Sequence, residues 1–278
     1  MGCGPIDQGV SPVGSAKCLV RGEAHRGIDR HALASGSVLD DSWCVAAQLV
    51  FVHSPLLGPE SWLPVSTVIA RLGWDVTLSE LRDNGHVPYW RQHVDSVLAG
   101  LRNGPSELVL VAHSGAGPLL GAVAHELEER VRALLFVDAG LPEDGLSRLQ
   151  MLRAETGDAF GDTFQAHLEA GGRYPGWSDR DLAPIVSGAA TRAALLRSQR
   201  PRAMDFWTEE IAAPAGWKAR PCGYLQLSDG YGRPMRTARK LEWPVVERVT
   251  KHFALLTNPA TVADDLQSLL RRLGLTPG

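Results

Sequence analysis

Short strand-length runs, most of them largely apolar, separated by helix-length amphipathic stretches constrain this chain more than any other feature. AQLVFVH ends at His53, WDVTLSEL starts at Trp74, ELVLVA at Glu107 and RALLFVDA at Arg132. AQLVFVH, a short apolar run ending in a turn, reads as a buried parallel strand, and the other three read as the strands that follow it. The intervening stretches, SWLPVSTVIARLG, PYWRQHVDSVLAGL with Pro88 at its first turn, and about residues 117–130, have helical spacing. Strand and helix in alternation predict an α/β fold: a mostly parallel sheet flanked by helices.

The rhythm lapses between Ala139 and Cys222, where Trp177, Trp207 and Trp217 sit among short helical patterns broken by Pro and Gly. This predicts a helical cap, residues 140–221, inserted after the strand that ends at Asp138. The rhythm resumes with GYLQLS and WPVVERV and closes on an amphipathic helix capped by Asn258, with Pro259 at its first position and an apolar stripe of Val262, Leu266, Leu269, Leu270 and Leu273. Residues 1–43, rich in Gly, Ser, Asp and Arg and without sustained periodicity, read as a flexible extension, leaving residues 44–278 as the domain.

Composition removes several function classes. At 278 residues, 44% of them hydrophobic, the chain can bury one large core and an insertion. A formal net charge of −3 supplies no field to draw nucleic acid or an anionic membrane. No run approaches the roughly eighteen apolar residues of a membrane span, and the start lacks a secretory pattern, so a cytoplasmic protein is expected. Cys3, Cys18, Cys44 and Cys222 lack metal-ligand spacing and are expected as free thiols. The Gly-rich stretches lack a phosphate-loop Lys or a dinucleotide fingerprint, so neither metal nor cofactor is implied.

The chemistry is carried by LVLVAHSGAG, where a strand runs into Ser114 with Ala112 two residues before and Ala116 two residues after. A strand-to-helix turn sharp enough to lift a serine hydroxyl above the sheet demands small residues at those places. The following helix then aims its N-terminal amides at a developing oxyanion. Such a serine needs a base. His252, in the loop between the last strand and the closing helix, has the right chain order, whereas His53, His86, His93, His113, His125 and His167 do not.

Together AHSGAG, KHFALLTNP and FVHSPLLGPESW resemble the α/β-hydrolase superfamily, over residues 46–273, and among its members small actinobacterial-type serine hydrolases of unassigned substrate. The resemblance implies a sheet of six to eight strands. Six are expected here, because the irregular N-terminal segment leaves the first two family strands missing or poorly formed. It also implies a serine-nucleophile enzyme acting on a small-molecule ester, thioester or lactone through an acyl-Ser114 intermediate, most simply a hydrolase. An acyltransferase or thioesterase of a biosynthetic pathway, or a weakly catalytic ligand-binding protein on the same fold, are the alternatives.

Two departures bear on mechanism. Where the family carries His-Gly, this chain has His53, Ser54 and Pro55, and proline has no N–H to give an oxyanion. Gly115 retains one donor, and the second is expected first from the Leu56 amide, otherwise from a side chain such as Ser54 or not at all; His53, Ser54, Pro55 and His113 are placed against the substrate. The acid that orients His252 is Asp138 or, alternatively, Asp229 in the turn after GYLQLS. Trp62 and Trp90 are candidates for an apolar acyl pocket, though core packing is the plainer role. RTARK (Arg236 to Lys240), read as a loop, is a candidate contact for a carrier-protein-bound substrate.

Overall fold

The computed structural model describes residues 47–102, 104 and 107–277. The expected extension over 1–43 and Cys3, Cys18 and Cys44 lie outside the described residues; Cys222 is a buried free thiol. Six strands form one wholly parallel sheet in the order β2-β1-β3-β4-β7-β8: β1 (Gln48–Val52), β2 (Val76–Ser79), β3 (Leu108–Ser114), β4 (Val131–Ala139), β7 (Cys222–Gln226) and β8 (Val245–Glu247). The two other strands among the described residues, β5 (Leu146–Ser147) and β6 (Glu210–Ile211), are a two-residue antiparallel pair in the insertion.

The central strands are largely apolar on both faces because each face meets a layer of helices. Val50, Val52, Leu110 and Phe136 join a core with Val94 and Val97 of α2 (Tyr89–Leu101) and Val123 of α3 (Leu120–Leu127). Leu49, Phe51, Val109 and Leu135 face Val65 and Ile69 of α1 (Leu63–Arg71) and Val262, Leu266 and Leu269 of α11 (Pro259–Arg272). Adjacent residues of one strand thus enter opposite cores, as the two-residue strand period requires.

Several boundaries differ from the sequence reading. The expected 117–130 helix is α3 with a 3-10 turn at each end, Gly117–Leu119 and Glu128–Arg130. Asn258 occupies the N-cap position of α11 without a side-chain cap bond. Pro88 precedes α2 as its N-cap, and the Tyr89 and Trp90 amides are capped from afar by Glu209, at 2.7 and 3.0 Å. RTARK lies in helix α9 (Gly232–Lys240) rather than a loop, where Arg239 pairs with Glu247.

The insertion between β4 and β7 holds α4 (Arg148–Thr156), α5 (Asp158–Glu169), α6 (Asp179–Leu182), α7 (Ala189–Ser198) and α8 (Met204–Thr208). Helix α4 starts at a full capping box, Ser147 with Gln150. The aromatic core of the insertion, Phe164, Phe206 and Trp207, also takes in Tyr89 from α2. The sequence runs from β1 outward to β2, then back across to β3, so the sheet switches direction between β1 and β3. Side chains at the carboxyl ends of those two strands flank a natural crevice.

Candidate active site

Ser114 is the last residue of β3 and sits at φ 57°, a left-handed conformation rare for a non-glycine. Ala112 and Ala116 are completely buried beside it. A Cβ at Gly117 would overlap the Gly140 carbonyl, which explains why glycine follows the turn. The small flanking residues are therefore a packing requirement of the elbow.

Three elements far apart in sequence meet at this serine. His252, between β8 and α10 (Ala254–Thr257), brings Nε2 to 3.2 Å from Ser114 Oγ. Its Nδ1 lies 2.7 Å from Asp138 Oδ2. Asp138, at φ 43° one residue before the end of β4, is fully buried and saturated with donors. The Leu227 and Ser228 amides donate to Oδ1 at 2.8 and 2.9 Å, and the Ser228 hydroxyl donates to Oδ2 at 2.6 Å. Burial alone would push this carboxyl up; the bonds from His252, Ser228 and Leu227 outweigh it and hold Asp138 below its ordinary value. Asp229 opens a 3-10 turn and its carboxylate makes no bond to His252, so the geometry separates the two candidate acids.

The other predicted side chains divide into wall and support. Ser54, Pro55, Leu56, Ser114, Gly115 and His252 line a cavity of about 280 Å³, close to the lower end of the roughly 300–1,000 Å³ range of small-molecule sites. His53 and His113 do not line it. The His53 ring, fully buried, donates from Nδ1 to the Ser54 carbonyl at 2.9 Å and accepts the Leu81 amide on Nε2 at 3.0 Å; burial lowers it to about 4. The His113 ring stacks on His252 at 4.5 Å and donates from Nε2 to the His252 carbonyl at 3.2 Å; burial lowers it to about 3. Both are neutral struts, placed behind the wall because they follow the buried registers of β1 and β3.

The Leu56 amide, expected to face an oxyanion, donates to Ser54 Oγ at 3.3 Å, and Leu57 N–H closes the turn on the Ser54 carbonyl at 2.9 Å. The insertion holds this turn from above. Arg202 donates from Nε and Nη2 to the Pro55 carbonyl at 3.3 and 3.1 Å, and the Arg200 amide donates to the Leu56 carbonyl at 2.9 Å. Trp62 is core, its indole donating to the Val52 carbonyl; Trp90 packs on the opposite core, and the tryptophans on the cavity are Trp177 and Trp207. No residue from 236 to 240 lines it.

Three functional candidates escaped the sequence reading. Tyr231 places its hydroxyl 3.0 Å from Ser114 Oγ and stacks on His252 with ring centroids 5.3 Å apart. Burial pushes its phenol well above the ordinary value, so it stays protonated. Glu155 and Arg148 line the cavity from α4. Arg148 Nη1 meets Glu209 at 2.7 Å, while its Nε and Nη2 are buried without an acceptor. Loop tyrosines and helix-borne charges carry no sequence signal until the turn after β7 and the insertion are folded over the site. Among the described residues no group of three or more His, Cys, Asp or Glu side chains is arranged to hold a metal ion, and no helix is long and apolar enough to cross a membrane.

No protein-family profile matches the chain, and no curated protein sequence matches it. Solved structures do. An extracellular α/β-hydrolase from a Paenibacillus species, described as sharing structural and functional homology with tobacco salicylic acid binding protein 2, superposes with a TM-score of 0.68 at 18% identity, covering 80% of this chain and 98% of that one. Polyneuridine aldehyde esterase gives 0.61 at 16% identity, over 81% and 99%. A pyrethroid hydrolase gives 0.60 at 14% identity, over 81% and 98%.

Proposed function

The chain has the α/β-hydrolase fold, and on it we propose a serine hydrolase that cleaves a small-molecule ester, thioester or lactone through an acyl-Ser114 intermediate. One observation carries the proposal: the continuous chain Ser114 Oγ, His252 Nε2, His252 Nδ1, Asp138 Oδ2, with separations of 3.2 and 2.7 Å. The hydrolase and esterase descriptions of the structural neighbours support it.

In this mechanism Asp138 accepts the Nδ1 proton bond and so leaves Nε2 as the basic nitrogen. As Ser114 Oγ bonds the carbonyl carbon, its proton passes to Nε2 and the carbonyl electron pair moves onto oxygen. Collapse of that tetrahedral species breaks the bond to the leaving group, which takes the proton from Nε2. Water, deprotonated by His252, then attacks the acyl carbon and releases the acid and free Ser114. Tyr231 donates to Oγ in the resting site and lowers the cost of charge developing there.

The oxyanion is assigned to the Gly115 N–H and the Ser54 hydroxyl. Pro55 has no N–H, and the Leu56 amide is directed at Ser54 Oγ, which leaves the hydroxyl proton of this buried serine free to point into the cavity beside Gly115. A fluorophosphonate probe followed by mass spectrometry tests the whole scheme. Wild type is expected to carry the adduct on Ser114, Ser114→Ala to carry none, and Ser54→Ala to react about 10²–10³-fold more slowly. A labelled Ser114→Ala chain would reject the nucleophile, and full-rate labelling of Ser54→Ala would reject the hydroxyl donor.

A further inference from the structure

Helix α4 lays a single stripe along the cavity. Arg148, Met151, Leu152 and Glu155 recur at the three- and four-residue spacing of one helix face, and all four line the wall. The two charged ends of the stripe are not equivalent. Arg148 is paired with Glu209, so its charge is balanced within the protein. Glu155 receives no hydrogen bond from any described residue. The charged groups that act on it come from three other elements: Arg233 on α9, Glu143 before β5 and Asp138 at the end of β4. Arg233, the one cation of the three, is itself taken by Glu143, with Nη1 to Oε1 at 2.9 Å. Burial pushes the Glu155 carboxyl up to about 7, as befits an acid without a counter-ion.

This acid shares its cavity wall with Ser114 and His252. Its Oε1 is 4.0 Å from where a Cβ on Gly140 would lie, and that same point is 3.4 Å from Pro118, four residues beyond the nucleophile. It acts electrostatically on Tyr231, whose hydroxyl touches Ser114. Much of the remaining wall is apolar or aromatic, including Trp177, Trp207 and Phe253.

We infer that the ester taken by this site carries an ammonium group, and that Glu155 is the counter-ion that selects it; the inference rests on Ser114 being the nucleophile of the same cavity. A carboxylate in apolar surroundings without a partner is costly, and an ammonium both restores the ionised form and forms charge-assisted hydrogen bonds with it. Aromatic walls attract a cation further through their ring faces. A neutral hydroxyl offers only the weaker bond, and an anionic substrate would meet like charge from both Glu155 and Asp138.

The probes are 3-phenylpropylammonium and its neutral counterpart 3-phenylpropanol, titrated calorimetrically at pH 8, where Glu155 is ionised. The ammonium is expected to bind roughly tenfold more tightly to wild type and to Ser114→Ala, and the ratio to fall near one in Glu155→Gln. The ammonium is also expected to slow fluorophosphonate labelling of wild type. Equal affinities in wild type, or a preference undiminished in Glu155→Gln, would overturn the inference. Should Glu155→Gln not fold, the wild-type ratio decides alone. Discrimination between the probes without labelling at Ser114 would instead remove the nucleophile assignment and leave the ammonium site standing.

Discussion

Four donors converge on the Asp138 carboxylate, and each of them sees an acceptor. Asparagine at this position would turn an NH2 group toward one or more of those donors, and with it reverse the tautomer of His252. Acylation in Asp138→Asn is therefore expected to fall by about 10⁴-fold, while Asp229→Asn changes it little. Fluorophosphonate labelling rates of folded variants compare the two, and the opposite ranking would move the acid to Asp229. The left-handed φ of both Ser114 and Asp138 marks backbone held in place by its surroundings, each at a cost of about 1–3 kcal/mol. The sequence could point to these two residues and to His252 because strand ends and chain order are legible in it. Tyr231 and Ser228 were not legible, since a 3-10 turn after β7 folds both toward β4, and nothing in SDGYGR announces that direction.

Among the elements, the central strands and the helices of the sheet layers were readable because each carries its own period, largely apolar or apolar every three to four residues, and the edge strands β2 and β8 by their place in the alternation. The insertion was readable only as a gap in that rhythm. Its helices are short, and α4 owes its cavity-lining face to packing against Phe206 and Glu209 from the far end of the insertion. That pairing yields a testable energetic statement. Arg148 and Glu209 are both buried, and burial pushes Arg148 down to about 10 and Glu209 up, so desolvation opposes the pair at both ends. Arg148→Met would leave the Glu209 carboxylate without its cation at the start of α2 and is expected to destabilise the protein by about 3–5 kcal/mol. Arg148→Met combined with Glu209→Gln removes the unpaired charge but keeps an acceptor for only one of the Tyr89 and Trp90 amides, which bond different oxygens of Glu209, and should recover part of that loss. Denaturant midpoints of the single and double variants decide it, and equal loss in both would show that the ion pair is not the unit that matters.

For the molecule as a whole, Glu155 predicts an unusual pH response. Its folded value, about 7, lies above the ordinary 4.5, so its contribution to stability is complete below 4.5 and is lost as pH rises through 7. Asp138 runs the other way, lowered in the fold and stabilising only above its ordinary range. Subtracting the Glu155→Gln stability profile from that of wild type isolates the first effect: the difference is expected to decline between pH 4.5 and 7, and a flat difference would show that Glu155 titrates as a free surface acid. The hold of Arg200 and Arg202 on the Ser54–Leu57 turn has a different reach. Both residues stand about 145 positions along the chain from the turn they brace, within the insertion between β4 and β7. A chimera that exchanged this cap for a foreign one would inherit a new pocket together with an unbraced catalytic turn. Substrate choice in such a chain is thereby tied to turnover, and the two can be altered independently only by keeping the Arg202 guanidinium and a residue with a backbone N–H at position 200.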